Sequence, residues 1–75
     1  MTFEKVRGML SKQLMVDEAN IRMESRLVED LKADSANVML LVIELENLFD
    51  IEVEDNAILA LKTVKDVVDY VDNAQ

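Results

Sequence analysis

The amino-acid sequence predicts an all-α protein, a small four-helix bundle with three main helices, one short helix and a long loop between the first and second helices. Two apolar stripes at helical spacing, one near each end of the chain, support this fold class. The chain also has no proline and one glycine, Gly8. Its 75 residues are 51% hydrophobic and 32% charged, which is typical of a folded chain with a modest core. We therefore expect a single domain over residues 1–75.

The first helix and the loop after it follow from where the apolar periodicity stops. Phe3, Val6, Leu10 and Leu14 recur at helical spacing, so the first helix is expected to end near Met15. Residues 16–34 lack sustained periodicity and predict a long loop that isolated apolar side chains hold in place. A loop of this length in a compact protein usually serves a function.

The remaining helices are predicted from their start signals. The second helix should begin at Asp34 or Ser35 and end at Phe49 or Asp50, followed by a connection over residues 51–56. A short helix is expected over about residues 56–61. Thr63 and Asp66 have the spacing of a capping box and should open the last helix. That helix is further indicated by a stripe at i, i+3, i+4 and i+7, made of Val64, Val67, Val68 and Val71.

The second helix is apolar nearly all round. One side should face the core, and its residues are Val38, Leu41, Val42, Leu45, Leu48 and Phe49. The other side carries Ala36, Met39, Leu40, Ile43, Glu44 and Asn47. A helix of this kind must be covered twice, once by its own core and once by something else. The second cover is either the long loop or a binding partner, and the pattern leaves both alternatives open.

Charge and composition exclude several classes of function. The net charge is −8, and residues 27–75 hold three bases and twelve acids, net −9. Such a surface repels nucleic acid and attracts basic protein surfaces. The longest wholly apolar run, residues 38–43, is too short to cross a membrane, and the start of the chain lacks the continuous apolar core of a signal peptide. The chain has no cysteine, so no disulfide is needed. We expect a cytoplasmic protein that binds no metal.

Ser35 stands directly before the apolar run of the second helix. A catalytic serine needs a base, usually imidazole, and the chain has no histidine. Ser35 is therefore interpreted as a residue on which another enzyme acts, and no catalytic residue is predicted. The alternative is that Ser35 only caps the helix, as serine commonly does before an apolar run.

At these residues the chain resembles the acyl carrier proteins. Residues 30–36 read Asp-Leu-Lys-Ala-Asp-Ser-Ala, similar to the Asp-Leu-Gly-Ala and Asp-Ser-Leu signature of that family. The blocks at residues 28–31, 49–53 and 63–71 are also similar to the family, and the spacing between the blocks needs no gaps. The resemblance covers essentially the whole chain and looks like the fatty-acid-synthesis branch.

The resemblance implies a carrier and not an enzyme. It implies a covalent 4′-phosphopantetheine arm on Ser35, attached by a phosphopantetheinyl transferase, whose thiol holds acyl groups as thioesters. It further implies a monomer that presents these groups to type II fatty-acid-synthesis or related acyl-transfer enzymes with basic docking patches. The expected docking residues are Asp34, Ala36, Met39, Leu40, Ile43, Glu44 and Asp55. The expected acyl-chain pocket is lined by Val42, Leu45, Leu59 and Val64.

The chain departs from the family pattern at some positions. Ala36 replaces the family leucine, and Lys32 replaces a glycine, which costs about 1 kcal/mol if the backbone there has a positive φ. Several usually acidic positions are neutral or apolar, among them Leu40 and Asn47. Two alternatives therefore stay open: a specialised carrier for a polyketide, aminoacyl or D-alanyl pathway, and an unmodified helical adaptor that uses the apolar side of the second helix.

Overall fold

The computed structural model describes residues 2–74, with the side chain of Ser35 outside the description. It consists of helices α1 (Thr2–Leu14), α2 (Ser35–Phe49), α3 (Asp55–Ile58) and α4 (Val64–Ala74). A single 3₁₀ turn, Glu18–Asn20, lies in the loop between α1 and α2. The predicted all-α bundle of three main helices and one short helix is confirmed. Within residues 2–74, no helix is long and apolar enough to cross a membrane.

The core lies where α1, α2 and α4 meet under the long loop. The valine stripe of α4 is confirmed, because all four of its side chains are buried. Burial of aliphatic side chains is the main favourable contribution to folding in a core of this kind. The side chains with the least exposure are Val6, Leu10, Leu27, Leu41, Leu45, Val64, Val67 and Val71.

The predicted capping box at the start of α4 is confirmed. The hydroxyl of Thr63 accepts a hydrogen bond from the backbone N–H of Asp66 at 3.1 Å. The Asp66 carboxylate accepts in return from the N–H of Thr63 at 3.1 Å, and also from the N–H of Lys62 at 3.1 Å. The box thus satisfies donors that a helix start would otherwise leave unpaired.

The long loop supplies the remaining partners at this helix start. Residues Arg26 and Thr63 form an isolated antiparallel bridge. The backbone bonds around it run from Lys65 N–H to the Met23 carbonyl (2.8 Å), from Val64 N–H to the Ser25 carbonyl (3.0 Å) and from Leu27 N–H to the Lys62 carbonyl (2.9 Å). The first N–H groups of α4 are therefore bonded outside the helix, and the loop is fixed to the helix start.

The core prediction for α2 needs one correction. Leu41, Val42, Leu45 and Phe49 are buried and Val38 is partly buried against the core, but Leu48 is 51% exposed. The apolar pattern of α2 placed Leu48 on the core side because the pattern holds no information about the element that faces it. In the fold, the facing part of α1 offers a glycine and lysines instead of an apolar wall, so Leu48 stays at the surface.

The short helix is displaced from its prediction. It spans Asp55–Ile58 instead of about 56–61. Glu54 accepts backbone bonds from both Ala57 and Ile58, which starts the helix earlier than expected. The chain then tightens, because Ala60 N–H bonds the Ala57 carbonyl and Leu61 N–H bonds the Ile58 carbonyl, three residues back in each case.

The Asp66 cap gives a prediction about pH. Burial acts to raise the pKa of Asp66, but hydrogen bonds from Thr63 and Lys62 outweigh it and hold the pKa below the usual 3.8. Because the folded-state pKa is the lower one, this contribution to stability is present above pH 3.8 and is lost as the pH falls through the folded-state value. Urea unfolding from about pH 6 to about pH 2.5 measures this loss.

The matched variant is Asp66→Asn, whose amide oxygen can still accept the backbone bonds but does not titrate. We expect its free energy of unfolding to fall less steeply with decreasing pH than that of the unchanged chain. Thr63→Ala should cost about 1 kcal/mol throughout the range, since it removes the other half of the box. Identical pH slopes for the Asn variant and the unchanged chain would contradict the assignment.

Candidate functional site

The start of α2 is held by a capping box that does not need Ser35. Asp34 is the N-cap residue, and its carboxylate accepts a hydrogen bond from the N–H of Asn37 at 2.9 Å. The Asn37 side chain accepts in return from the N–H of Asp34 at 3.2 Å. The alternative that Ser35 caps this helix is therefore wrong. Ser35 is the first helical residue, and the prediction that its side chain is modified lies outside the described part of the structure.

The loop reaches the start of α2 through a tight turn over residues 26–33. The carbonyl of Arg26 accepts from the N–H groups of Asp30 (2.9 Å) and Leu31 (3.0 Å). Ala33 N–H bonds the Leu27 carbonyl at 2.9 Å. Because the side chains of Leu27, Leu31 and Ala33 are all buried, the backbone just before Asp34 is anchored in the core. The backbone at Ser35 is thus held by the buried loop residues before it and by the Asp34–Asn37 capping box around it.

Lys32 lies within this turn in a left-handed conformation, with φ of 62°. A residue with a Cβ atom is strained there by roughly 1–2 kcal/mol, whereas glycine is not. The sequence predicts a cost for Lys32 if its φ is positive, and its φ is positive. Met15 and Asp50 also have positive φ, at the ends of α1 and α2.

A cavity of about 700 Å³ opens beside the start of α2, between the long loop, α2 and α3. Its lining residues are Val28, Glu29, Ala33, Asp34, Val38, Met39, Ile58, Leu59, Leu61 and Lys62. Most of these side chains are apolar, and the cavity begins one residue before Ser35. It therefore has the size and character to take a flexible apolar ligand.

The residues predicted for the acyl pocket do not line this cavity together. Val42, Leu45 and Val64 are buried in the core, whereas Leu59 is 78% exposed and stands at the rim. The expectation that Leu59 is an interior residue is therefore corrected, because α3 is a single turn that ends before it. Sequence reasoning missed Val28 and Ile58 as lining residues, since their meeting depends on how the loop folds over α2.

The predicted docking residues all lie at the surface. Met39, Leu40 and Ile43 are each about half exposed, at 50%, 53% and 49%. The alternative that the long loop covers this side of α2 is therefore wrong. Asp34, Ala36, Glu44 and Asp55 are exposed as well. We call Ala36, Met39, Leu40 and Ile43 the apolar strip of α2.

The acidic side chains nearby differ in what they do. Glu46 has a structural role, because its carboxylate accepts a hydrogen bond from the backbone N–H of Val53 at 3.0 Å. Arg26 pairs with Glu29 and lies 3.9 Å from the Asp30 carboxylate. Among the described residues, no group of three or more acidic side chains is arranged to hold a metal ion.

Comparison with known proteins assigns the chain to a family. The family model described as "Phosphopantetheine attachment site" matches residues 4–71. The chain is 48% identical over 71 residues to an acyl carrier protein of Helicobacter hepaticus, which covers 95% of this chain and 93% of the relative. It is 44% identical over 73 residues to an acyl carrier protein of Campylobacter lari, with 97% and 95% covered. An acyl carrier protein of Phytoplasma mali is 39% identical over 71 residues, with 95% and 84% covered.

The left-handed turn at residue 32 yields a prediction about stability. Lys32→Gly should raise the free energy of unfolding by about 1 kcal/mol, because glycine adopts a positive φ without a steric cost. Urea denaturation measures the change. Lys32→Ala is the matched control, since it removes the same charge but keeps a Cβ atom in the strained position. An equal gain in both variants would assign the effect to charge and contradict the backbone explanation.

Proposed function

Because the chain belongs to the acyl carrier protein family, whose cofactor is 4′-phosphopantetheine, we propose that Ser35 bears this group and that the protein presents acyl chains to enzymes of type II fatty acid biosynthesis. The group supplies a terminal thiol that holds an acyl chain as a thioester. In this proposal residues 1–75 form one carrier domain, and the chain is a cytoplasmic substrate of other enzymes, not a catalyst.

The observation that carries the proposal is that Asp34, and not Ser35, caps the start of α2. The Asp34–Asn37 capping box already holds the helix start, at 2.9 and 3.2 Å, so Ser35 is not required for capping. A phosphodiester on the first helical residue would lie at the positive end of the helix dipole, which favours an anion. The adjacent cavity of about 700 Å³ offers mostly apolar walls to an attached chain. The residues around Ser35 therefore fit the group.

Partner enzymes would dock on the surface around Ser35. The proposed contacts combine the apolar strip of α2 with the acidic residues Asp34, Glu44 and Asp55, all of which are exposed. Carboxylates of this kind attract Arg and Lys patches over long range, while the strip supplies apolar contact once the partner arrives. A phosphopantetheinyl transferase would use the same end of α2.

A specialised carrier for a single pathway is the second candidate. It is favoured by one observation, which is that three large apolar side chains of α2 are each about half exposed: Met39, Leu40 and Ile43. A docking face with this much apolar area selects partners by shape complementarity more than by charge. Polyketide, aminoacyl and D-alanyl pathways are the alternatives of this kind.

The attachment itself can be tested directly. Incubated with coenzyme A and a broad-specificity phosphopantetheinyl transferase, the chain should gain one arm, which intact-mass spectrometry measures. Peptide mapping should place the arm on Ser35 and on neither Ser11 nor Ser25. Ser35→Ala should gain nothing.

The melting temperature of Ser35→Ala helps to distinguish a carrier from an unmodified adaptor. Because Asp34 and not Ser35 caps α2, Ser35→Ala should keep the melting temperature of the unmodified chain within a few degrees. Absence of labelling with several transferases, in a folded chain, would favour the unmodified adaptor.

Cargo burial gives a second test. Acylated protein should unfold at higher urea concentration than the unacylated form, with the gain growing by at most about 0.8 kcal/mol per methylene before it levels off. We expect chemical-shift changes first at Val38, Ile58 and Leu59, which line the cavity. Longer chains should extend these changes to the buried core residues Val42, Leu45 and Val64.

Two leucines provide the control for this test. Leu59 lies on the cavity rim and Leu40 on the apolar strip, and both are more than half exposed. Leu59→Asp should reduce the gain with chain length, because it places a charge at the cavity mouth, whereas Leu40→Asp should leave the gain unchanged. Shift changes confined to surface residues near Ser35 would mean that the acyl chain stays outside.

A further inference from the structure

Met39 belongs both to the apolar strip of α2 and to the wall of the cavity beside the start of that helix. In the part of the chain that the structure describes, it is the one residue of the strip that also lines the cavity, and it is 50% exposed. It follows Ser35 by four positions, which is about one turn and 6 Å along the helix axis, so the two residues share a face of α2. A chain that enters the cavity from Ser35 would therefore meet Met39 near the mouth.

The thioether of Met39 is open to a small oxidant from solvent. The chain has no cysteine, so its five methionines are the side chains that a two-electron oxidant attacks first. Their exposure differs widely: Met9 is 6% exposed and Met15 is 91% exposed, while Met23 is partly buried against the core. Because oxidation follows access to the sulfur, we expect it at Met15 and Met39 before Met9.

Met15 and Met39 differ in what surrounds them. Met15 directly follows α1, lies almost wholly in solvent and is not among the residues that line the cavity. A sulfoxide there adds a polar group to a surface that is already solvated. At Met39 the same oxygen would lie on a wall that is mostly apolar, together with Val28, Val38 and Leu59. Met15 is therefore a matched control for Met39 within the same chain.

We propose that Met39 is a reversible oxidation site that controls how well the cavity holds an acyl chain, an inference that rests on the carrier function proposed for Ser35. A lone pair of the Met39 sulfur attacks one oxygen of hydrogen peroxide. The S–O bond forms, the O–O bond breaks, and the second oxygen leaves as water with both protons. The sulfur loses two electrons, which reduce the peroxide. Sulfoxide reductases restore the thioether with two electrons from a dithiol, which becomes a disulfide.

The sulfoxide would oppose the burial of apolar cargo at the cavity mouth. Its S–O group is a strong dipole, and covering it with hydrocarbon costs free energy because hydrogen bonds to water are lost. The unoxidised thioether is soft and unbranched, so it can adapt to a chain that passes beside it. The nearly buried Met9 would remain unoxidised, which leaves the packing of the core unchanged.

The first measurement needs no prosthetic group. The unmodified chain is treated with graded hydrogen peroxide, and peptide mapping by mass spectrometry gives the extent of sulfoxide at each methionine. Met15 and Met39 should be oxidised at peroxide concentrations within about fivefold of each other, and Met9 only at much higher ones. If Met39 reacts as slowly as Met9, the proposal is wrong.

The second measurement uses the chain acylated on its arm, whose attachment is verified by intact mass before peroxide is added. The thioester also covers the thiol of the arm, which peroxide would otherwise oxidise. Oxidation should reduce the gain in urea midpoint that acylation gives by about half or more. Met39→Leu keeps the apolar volume without the sulfur and should retain the gain after peroxide, whereas Met15→Leu should lose it as the unchanged chain does.

Two results of this comparison would overturn the proposal. An equal loss in Met39→Leu would assign the effect to another methionine, and no loss in the unchanged chain would show that the sulfoxide does not affect the cargo. A chain that gains no arm contradicts the function proposed for Ser35 instead, and its mass reveals this before oxidation.

A free ligand keeps the test independent of the arm. Decanol is titrated into the unmodified ¹⁵N-labelled chain, and binding is followed by the amide shifts of Val38 and Ile58, which line the cavity. Oxidation should weaken this binding about threefold or more in the unchanged chain and leave it unaltered in Met39→Leu. Equal affinities before and after oxidation, or no shift with decanol in any form of the chain, would contradict the proposal.

Discussion

The backbone bonds between the long loop and the start of α4 are the constraint on which the rest of the structure depends. The carbonyls of Met23 and Ser25 bond the N–H groups of Lys65 and Val64, which a helix start leaves unpaired. The same bonds remove most of the freedom of a loop of about twenty residues, whose closure carries an entropic cost. Once the loop is held there, Leu27, Leu31 and Ala33 are buried, and the chain reaches Asp34 from a fixed direction.

The core that this arrangement closes is almost wholly aliphatic. Phe49 is the ring within the buried cluster, and it lies at the edge with 9% exposure. Tyr70 remains half-buried and donates its hydroxyl to the Glu52 carbonyl at 3.2 Å. The helices are held together by buried apolar area and by many small dispersion contacts of valine and leucine, without packing between aromatic rings. The cavity of about 700 Å³ beside α2 lies at the edge of this core, where Val28, Met39 and Leu59 are each at least half exposed.

The features that the sequence predicted are local, and those it missed depend on neighbours in space. The Thr63–Asp66 box and the valine stripe of α4 are set by residues within a few positions of one another, and both were predicted correctly. Leu48 was misplaced because its exposure depends on what α1 presents opposite it. Leu59 was misplaced because the short helix ends before it. The carbonyls that hold the loop carry no side-chain signature, so no sequence pattern could indicate them.

The surface along α2 changes its chemistry from one end to the other. Near Ser35 it is acidic, with Asp34 at the cap, then it becomes apolar along the strip, and at the far end it borders the lysines of α1. The chain as a whole has a net charge of −8, which repels anionic macromolecules at long range. Salt at physiological concentration limits interactions between exposed charges to about 8 Å. The exposed carboxylates around Ser35 and the apolar strip beside them would therefore act on a basic partner surface at different distances, the charges before contact and the strip only once the two surfaces meet.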